Sequence, residues 1–461
     1  ERTSQRLTAQ PRAGAHRDLY VRSGWPMFGR SRLHRRRGAR LERNVFGLLA
    51  ERERNHAVDG LAIELLRWSA GEWVKQPSRS SDYCRLNAEA KSTIALAFSS
   101  DGELFASTHG DHTVKVFSCS TWRLQCTLHG HDRTPWTVKF HPKEQRYLAS
   151  GSLDQSVRIW DLTTRQCIRM QTFDFVVSCT AFHSTGDLVA VTAGKRTFLW
   201  KWNDEGQQQG ANGAADRSQQ QSDNKVVLMD GQNPQRCVAF KRSATHELFF
   251  VAETNAEPPP EPRQVLPLGG QHQAPPFTVQ LFMWMLENTA DPSDHLRLRL
   301  DPQSASLRIA RSVMYSDAGF DVSCCGRYLA LCELDPEVGY HLRTFSLLKG
   351  SIGEQLQTVA LPNCPFVTSV QFAPLNFAVL IGYGRCQTPE NGQTGYAVLR
   401  CIQFHTRSQH RLSTEEVELF SIDSNDESNV ALFHPQPMAA AQLGFLYATK
   451  DGRIRAFRFD R

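Results

Sequence analysis

Three polar residues in the first third of the chain have the side chains of a catalytic triad. Ser150 (or its neighbour Ser152), His131 and Asp154 are the residue types that hydrolases use as nucleophile, general base and orienting acid. A nucleophilic serine of this kind usually lies in a G-x-S-x-G turn, and no such turn surrounds Ser150. We therefore predict a structural role, in which His131 bonds the aspartate and the serine hydroxyl, and Trp160 completes a buried network.

The spacing of these residues is that of a WD repeat. Gly130-His131 is followed by Asp154 and then by Trp160-Asp161, and Gly-His to Trp-Asp at this distance is the signature of a four-stranded propeller blade. Buried polar groups that satisfy one another fix the register of the strands in such a blade. The predicted network consists of His131, Ser150, Asp154 and Trp160.

The sequence lacks the residue spacings that metal sites and phosphate-binding loops require. His183 and His434 follow apolar strands at the same turn as His141, and no second ligand stands at metal-binding distance along the sequence. None of the twelve cysteines forms a C-x-x-C pair, and no Walker-type phosphate loop occurs. We expect no metal, no cofactor and no enzymatic activity. Thiols in apolar runs indicate a reducing compartment, and we predict the cytoplasm, with the nucleus as an alternative.

The elements that must position these residues are short strands. From about residue 91 the hydrophobic period is two, and a four-part strand and turn pattern recurs about every 40 residues, the period of a propeller blade. Three clear units and four degenerate ones predict an all-β fold, a seven-bladed WD40 β-propeller with a short N-terminal helical segment. The last unit supplies three strands, so we expect Trp73-Val74-Lys75 to pair with it and close the ring.

Composition divides the chain into three regions. The N-terminal arm is rich in Arg, Ser, Gly and Pro without any period, and the next segment carries apolar residues at helical spacing. Two later interruptions are rich in Gln, Gly, Asn, Pro and Glu and are predicted to be loops of the propeller. The predicted division is 1–32 disordered basic arm, 33–70 helical segment and 71–461 WD40 propeller, with loop insertions at 203–224 and 254–276.

The net charge of +6 is concentrated near the N-terminus, where residues 30–43 hold seven arginines and one acidic residue. Such a segment suits an acidic protein surface, nucleic acid or anionic lipid, or it is a solvated arm. Arg35-Arg36-Arg37-Gly38 resembles the Arg-Arg-Gly element of phosphoinositide-binding propellers, although here it precedes a predicted helix. Apolar runs reach about ten residues, too few to cross a bilayer. We expect protein partners, no nucleic acid and no membrane span.

One loop of the propeller carries a candidate binding site. The segment from His131 to Trp136 leads into an inner strand, where small residues are usual, and such positions line the entrance to the central channel. A large aromatic side chain and Arg133 at this entrance suit a protein-binding hot spot. The alternative is that Trp136 packs between blades.

Three stretches give the chain a family resemblance. "STIALAFSSDGELFASTHGDHTVKVF", "LHGHDRTPWTVKFHP" and "YLASGSLDQSVRIWDL" resemble the WD40 region of the Ambra family, the activating molecule in Beclin-regulated autophagy. "RRRGARLERNVFGLLAE" resembles the basic start of that family, and "VMYSDAGFDVSCCGRYLALCEL" resembles the point where its propeller resumes. The likeness is clear over 91–202 and fainter over 35–50 and 310–350.

The resemblance implies a substrate receptor of a cullin-4 RING ubiquitin ligase, which marks targets such as D-type cyclins and takes part in autophagy. It implies a propeller protein as adaptor, and an arginine at the channel mouth could bind a phosphorylated target. The implied substrate-side residues are Arg133 and Trp136. The implied adaptor-facing residues are Arg37, Gly38, Ala39, Arg40, Leu48 and Leu49.

Two features depart from that family. Its propeller is split by a very long disordered insertion, whereas the interruptions here are short, which puts the autophagy role in doubt. The Trp-Asp-x-Arg docking element is also incomplete, because Arg165 stands too far behind Asp161. Docking would then depend mainly on the helices. The competing hypotheses are a generic WD40 scaffold in another assembly and a phosphoinositide-binding effector.

Overall fold

A computed structural model describes most of the propeller region and a few residues before it. The described residues are 21–23, 81–84, 86, 90, 92–203, 224–243, 246–255, 277–287, 292–335, 339–361, 367–374, 378–384, 396–407, 411–421, 428–435 and 443–458.

Antiparallel sheets of four strands follow one another along the first half of this described chain. Two strands precede them: β1 (Val21–Ser23) and β2 (Ser81–Cys84). Blade 1 holds β3 (Thr93–Phe98), β4 (Leu104–His109), β5 (Val114–Ser118) and β6 (Leu124–Leu128). Blade 2 holds β7 (Pro135–Phe140), β8 (Tyr147–Ser152), β9 (Ser156–Asp161) and β10 (Gln166–Thr172). Blade 3 holds β11 (Val177–Phe182), β12 (Leu188–Ala193), β13 (Arg196–Lys201) and β14 (Lys225–Asp230).

Four further blades complete the ring. Blade 4 holds β15 (Gln235–Arg242), β16 (His246–Thr254), β17 (Phe277–Glu287) and β18 (Leu307–Met314). Blade 5 holds β19 (Phe320–Val322), β20 (Tyr328–Asp335), β21 (Gly339–Ser346) and β22 (Gln355–Leu361). Blade 6 holds β23 (Val367–Phe372), β24 (Ala378–Tyr383), β25 (Tyr396–Arg407) and β26 (Arg411–Ser421). Blade 7 holds β27 (Ser428–Phe433), β28 (Leu443–Thr449) and β29 (Ile454–Arg458).

The hydrophobic core lies between the faces of neighbouring blades. The second strand of blade 3, β12, is buried at every position, because both of its faces are covered. The outer strand β10 is much less buried, because six of its seven residues are exposed or half-buried. One apolar cluster joins Ile159 of blade 2 to Val191 of blade 3, and another joins Val116 of blade 1 to Phe140 of blade 2. Each blade therefore buries its apolar residues only by stacking on the next.

The ring closes through a strand that comes before blade 1. β2 pairs with β29 as the fourth strand of blade 7, with Cys84 opposite Ile454. The sequence predicts an N-terminal segment in this place but assigns it to Trp73-Val74-Lys75, which lies outside the described residues. That assignment is wrong because it followed an apolar run, whereas an edge strand is largely polar. Cys84, in "SDYC", packs into the core shared by blades 7 and 1.

One described strand, β1, bears on the remaining predictions about the N-terminal region. β1 pairs with β26 as a fifth strand of blade 6, with Val21 opposite Leu419. This strand lies inside the span 1–32 that we predicted to be disordered. The predicted helices of 33–70 lie outside the described residues, as does most of the two predicted loop insertions. Helical turns in the described chain are 3-10 turns at Pro292–Arg297 and Pro302–Ser304, and none of its helices could span a membrane.

Histidines at the ends of inner strands contact the next blade. The ring of His141 lies against Gly186 in the first turn of blade 3, where an added Cβ would overlap its Nε2. His434 Nε2 hydrogen-bonds the Gly102 carbonyl, at 2.8 Å, across the junction of blades 7 and 1. Both glycines have positive φ, +93° and +74°. These histidines lie at turns, and they also join one blade to its neighbour.

Candidate functional site

Four residues of blade 2 form a continuous hydrogen-bonded network. His131 Nδ1 lies 2.7 Å from Asp154 Oδ2, and His131 Nε2 lies 2.7 Å from Ser150 Oγ. Trp160 Nε1 donates to the same serine oxygen at 2.8 Å. Since the carboxylate accepts from Nδ1, Nε2 accepts from the Ser150 hydroxyl. The structure therefore brings together the four residues that the spacing singled out.

The network stabilises blade 2 and leaves Ser150 unable to act as a nucleophile. Ser150 is buried completely, and its oxygen is engaged by two rings at once, so no substrate carbonyl can reach it. Burial alone would raise the pKa of Asp154. Hydrogen bonds from His131 and Ser156 outweigh this effect and hold the pKa well below its usual range. The carboxylate stays ionised as an acceptor that orients the histidine.

Arg133 and Trp136 lie at the channel mouth where the inner strands begin. Trp136 is the second residue of β7 and is 38% exposed, although its neighbours Pro135 and Thr137 are buried. Arg133 is exposed in the preceding loop, where its guanidinium lies 3.5 Å from the Leu153 carbonyl. Both predicted residues therefore face solvent on the same side of the propeller.

Two apolar residues that sequence reasoning missed extend this mouth. Phe175 and Val176, 56% and 40% exposed, come just before the inner strand β11. A Cβ on Gly151 would lie 2.5 Å from Val177 and 3.0 Å from Thr137, so the starts of β7 and β11 are side by side. We call Arg133, Trp136, Phe175 and Val176 the upper mouth. A signal was available, because Phe175 and Val176 precede their strand much as Trp136 opens its own.

The connection from blade 4 to blade 5 crosses the central channel. We call residues 315–319 the plug. Asp317 accepts from Thr137 Oγ1 at 3.1 Å and pairs with Lys139 Nζ at 2.9 Å, both on blade 2. The Ala318 carbonyl accepts from Val370 N of blade 6 at 2.7 Å. The plug therefore links blades that lie far apart along the chain.

A cavity of about 610 Å³ lies on the other side of the plug. Its walls come from the last residues of the inner strands and the turns that follow them, such as Phe98, Phe240 and Pro435, and Asp317 forms part of its floor. We call this cavity the lower cavity. It opens on the face opposite the upper mouth, since inner strands begin at one face and end at the other.

The structure does not describe the other predicted partner-binding residues. The predicted adaptor-facing residues lie outside the described part of the chain: Arg37, Gly38, Ala39, Arg40, Leu48 and Leu49. Within the described residues, no group of three or more His, Cys, Asp or Glu side chains could hold a metal ion.

The chain is similar to known WD40 proteins over part of its length. The model of the WD domain, G-beta repeat, matches residues 84–118 and 122–161. Activating molecule in BECN1-regulated autophagy protein 1A of Danio rerio is 34% identical over 163 residues, which cover 35% of this chain and 12% of that protein. Eukaryotic translation initiation factor 3 subunit I of Aspergillus fumigatus is 32% identical over 115 residues, which cover 25% of this chain and 34% of that protein.

A solved structure supports the fold along most of the chain. The β-propeller domain of Cps50 (Swd1) from Myceliophteria thermophila superposes with a TM-score of 0.52 and 14% identity, covering 82% of this chain and 98% of that domain. At this identity the likeness concerns the fold alone. Together with the blade network and the matched repeats, these comparisons show that the chain is a WD40 β-propeller, and that 35% of it is similar to the activating-molecule proteins.

Proposed function

We propose that this protein is a substrate receptor of a cullin-4 RING ubiquitin ligase, linking the ligase adaptor to target proteins. The observation that carries the proposal is the upper mouth, where an arginine and three exposed apolar side chains lie at the starts of two neighbouring inner strands. Aromatic residues and arginine dominate the binding energy of protein interfaces. A role in autophagy regulation belongs to the same proposal, supported by the name of the Danio rerio relatives.

The two partners would bind at different places. The adaptor, itself a propeller protein, would bind the segment that contains Arg37 and Leu48. Target proteins, including phosphorylated ones, would bind the upper mouth, where Arg133 can form charge-assisted hydrogen bonds with a phosphate group. Trp136 would provide the apolar contact beside it. The cytoplasm and the nucleus are the proposed locations.

The test is size-exclusion co-elution with the purified cullin-4 adaptor. Wild-type protein is compared with an Arg37→Glu/Leu48→Asp double variant. Co-elution that the double variant abolishes supports the receptor function and assigns docking to this segment. Absence of a complex with folded wild-type protein contradicts the proposal.

A second candidate is a WD40 scaffold in another assembly. The similarity to subunit I of a translation initiation factor favours it, because that name describes one subunit of a larger complex. Affinity capture with wild type and a Trp136→Ala variant separates the candidates. A scaffold would retain a multisubunit assembly without ligase components.

A further inference from the structure

Two lysine–aspartate ion pairs line the lower cavity, and in each pair the lysine side chain is more exposed than the carboxylate. Lys241 Nζ lies 2.6 Å from Asp321 Oδ1, and the two side chains are 38% and 14% exposed. In the second pair, Lys139 and Asp317, the corresponding values are 35% and 6%. In both pairs the lysine is therefore the more exposed partner.

The carboxylates already have other partners within the protein. Asp317 also accepts from the hydroxyl of Thr137, and Asp321 also accepts from the backbone N–H of Phe372 at 2.9 Å. Each lysine ammonium has three N–H donors, and the ion pair uses one of them. The cavity therefore offers donors to a ligand and has few acceptors to spare, which favours an anionic group.

The rest of the wall suits a peptide. Each inner strand pairs with a neighbouring strand on one side only, so its other edge lies along the channel. The partly exposed rings of Phe98, Phe240 and Pro435 supply apolar contacts between these edges. A volume of about 610 Å³ falls within the range of ligand cavities, roughly 300–1,000 Å³.

The plug shows how such a peptide can bind in this channel. Its sequence is Tyr-Ser-Asp-Ala-Gly, and its Ala318 carbonyl accepts a hydrogen bond from the inner strand of blade 6. Ser316 Oγ donates to the Thr368 carbonyl of the same strand at 3.2 Å. Its aspartate lies against Lys139. One part of the channel is therefore already filled by an acidic segment of the chain itself.

We propose that the lower cavity binds an acidic, extended peptide segment of a partner protein, with a carboxylate of that peptide on Lys241 and its apolar side chains on the phenylalanine and proline rings. This site is separate from the upper mouth and does not depend on the proposed ligase function. The protein would then hold one partner at each end of its channel.

The test is fluorescence anisotropy with a labelled peptide, acetyl-Ala-Glu-Phe-Asp-Leu-Glu-Ala-amide, and the full chain. We expect Lys241→Gln to weaken binding about tenfold, the usual effect of losing one charge-assisted hydrogen bond. A Lys241→Gln/Asp321→Asn double variant should show the same loss without leaving a buried carboxylate unpaired. Lys195→Gln, an exposed lysine at a turn outside the cavity, is the matched control and should bind like wild type.

Three results would overturn the proposal. The first is no binding to the folded wild-type chain when the peptide is raised to millimolar concentration. The second is loss of binding in Trp136→Ala but not in Lys241→Gln, which would assign the peptide to the upper mouth. The third is binding of inorganic phosphate that depends on Lys241 without any binding of the peptide, which would indicate a small-anion site. These binding measurements do not involve the adaptor, so a negative co-elution result would not change their interpretation.

Discussion

The hydroxyl group of Ser150 joins two aromatic rings in the middle of blade 2. It donates to His131 and accepts from Trp160, and all three residues are buried. Removing this oxygen would cost more free energy than its hydrogen bonds contribute. A buried hydrogen bond contributes about 1 kcal/mol, but a buried polar group left without a partner costs about 1–3 kcal/mol.

Ser150→Ala should therefore lower the free energy of unfolding by about 2–4 kcal/mol, because it leaves two ring nitrogens without a partner. Chemical denaturation monitored by tryptophan fluorescence measures the change. Ser100→Ala, at an exposed serine of a turn, is the control and should change stability by less than about 0.5 kcal/mol. Equal effects of the two substitutions would contradict the network's role.

Residues of one blade were predictable from the sequence, and contacts through the channel were not. The network of His131, Ser150 and Asp154 lies within one repeat, so a known spacing identifies it. Lys139 and Asp317 belong to different blades and meet only because the plug crosses the ring. No periodicity in a single sequence reports such a contact, and the lower cavity that it helps to form was missed for the same reason.

At the scale of elements, blades 2 and 7 each contact the next blade through a histidine and a glycine. His141 of blade 2 occupies the space that a side chain at position 186 would need. Its Nδ1 accepts from the backbone N–H groups of Lys143 and Glu144, at 3.2 and 2.9 Å, so the ring cannot easily move away. The contact thus depends on the absence of a Cβ in the neighbouring blade.

Gly186→Ala should destabilise the protein by more than the backbone conformation alone explains. Gly339 has nearly the same φ, +96° against +93°, but nothing lies within 4 Å of its missing Cβ. We expect Gly339→Ala to cost about 1 kcal/mol from strain, and Gly186→Ala about 2–4 kcal/mol because His141 must also shift. Thermal unfolding of both variants measures the difference. If both variants have the same melting temperature, the contact of His141 with position 186 does not contribute to stability.

A second histidine makes stability depend on pH. Burial, and then the neighbouring ring of His295, lower the pKa of His183 to about 4. Between pH 6.5 and about 4 the unfolded chain therefore binds a proton that the folded chain does not, and stability falls as the pH falls. Each pKa unit contributes about 1.4 kcal/mol.

The expected result is a melting temperature that decreases from pH 6.5 toward pH 4 with a slope that His183→Asn makes shallower. Asparagine keeps an acceptor for the Thr185 N–H, which donates to His183 Nδ1 at 3.2 Å, and removes the titrating ring. Buried Glu247, whose carboxylate lies 3.8 Å from His183 Nε2, stays in place in both proteins. Parallel slopes for wild type and variant would rule out this histidine as the source.

The whole molecule is a ring, and two kinds of contact stabilise it, one at its circumference and one near its axis. At its circumference β2 completes blade 7 beside blade 1, so residues from both ends of the propeller share one sheet. Near its axis the plug connects blade 2 with blade 6. The seven-blade count followed from the repeat period, because a blade cannot bury its apolar face alone. The closing strand was harder to assign, since four mostly polar residues carry no such period.

Loss of the closing strand should open the ring at one defined place. A chain that begins at Arg85 lacks β2, and this exposes the edge of β29 and removes the burial of Cys84. We expect the free energy of unfolding to fall by about 2–4 kcal/mol, from the lost backbone hydrogen bonds and apolar burial. The exposed edge should also promote concentration-dependent association. A chain that begins at Ser78 is the matched control, because it lacks β1 equally but keeps β2. Light scattering and thermal unfolding compare the two. If both melt alike and stay monomeric, blades 1 and 7 hold together through their face-to-face core and the His434–Gly102 contact alone.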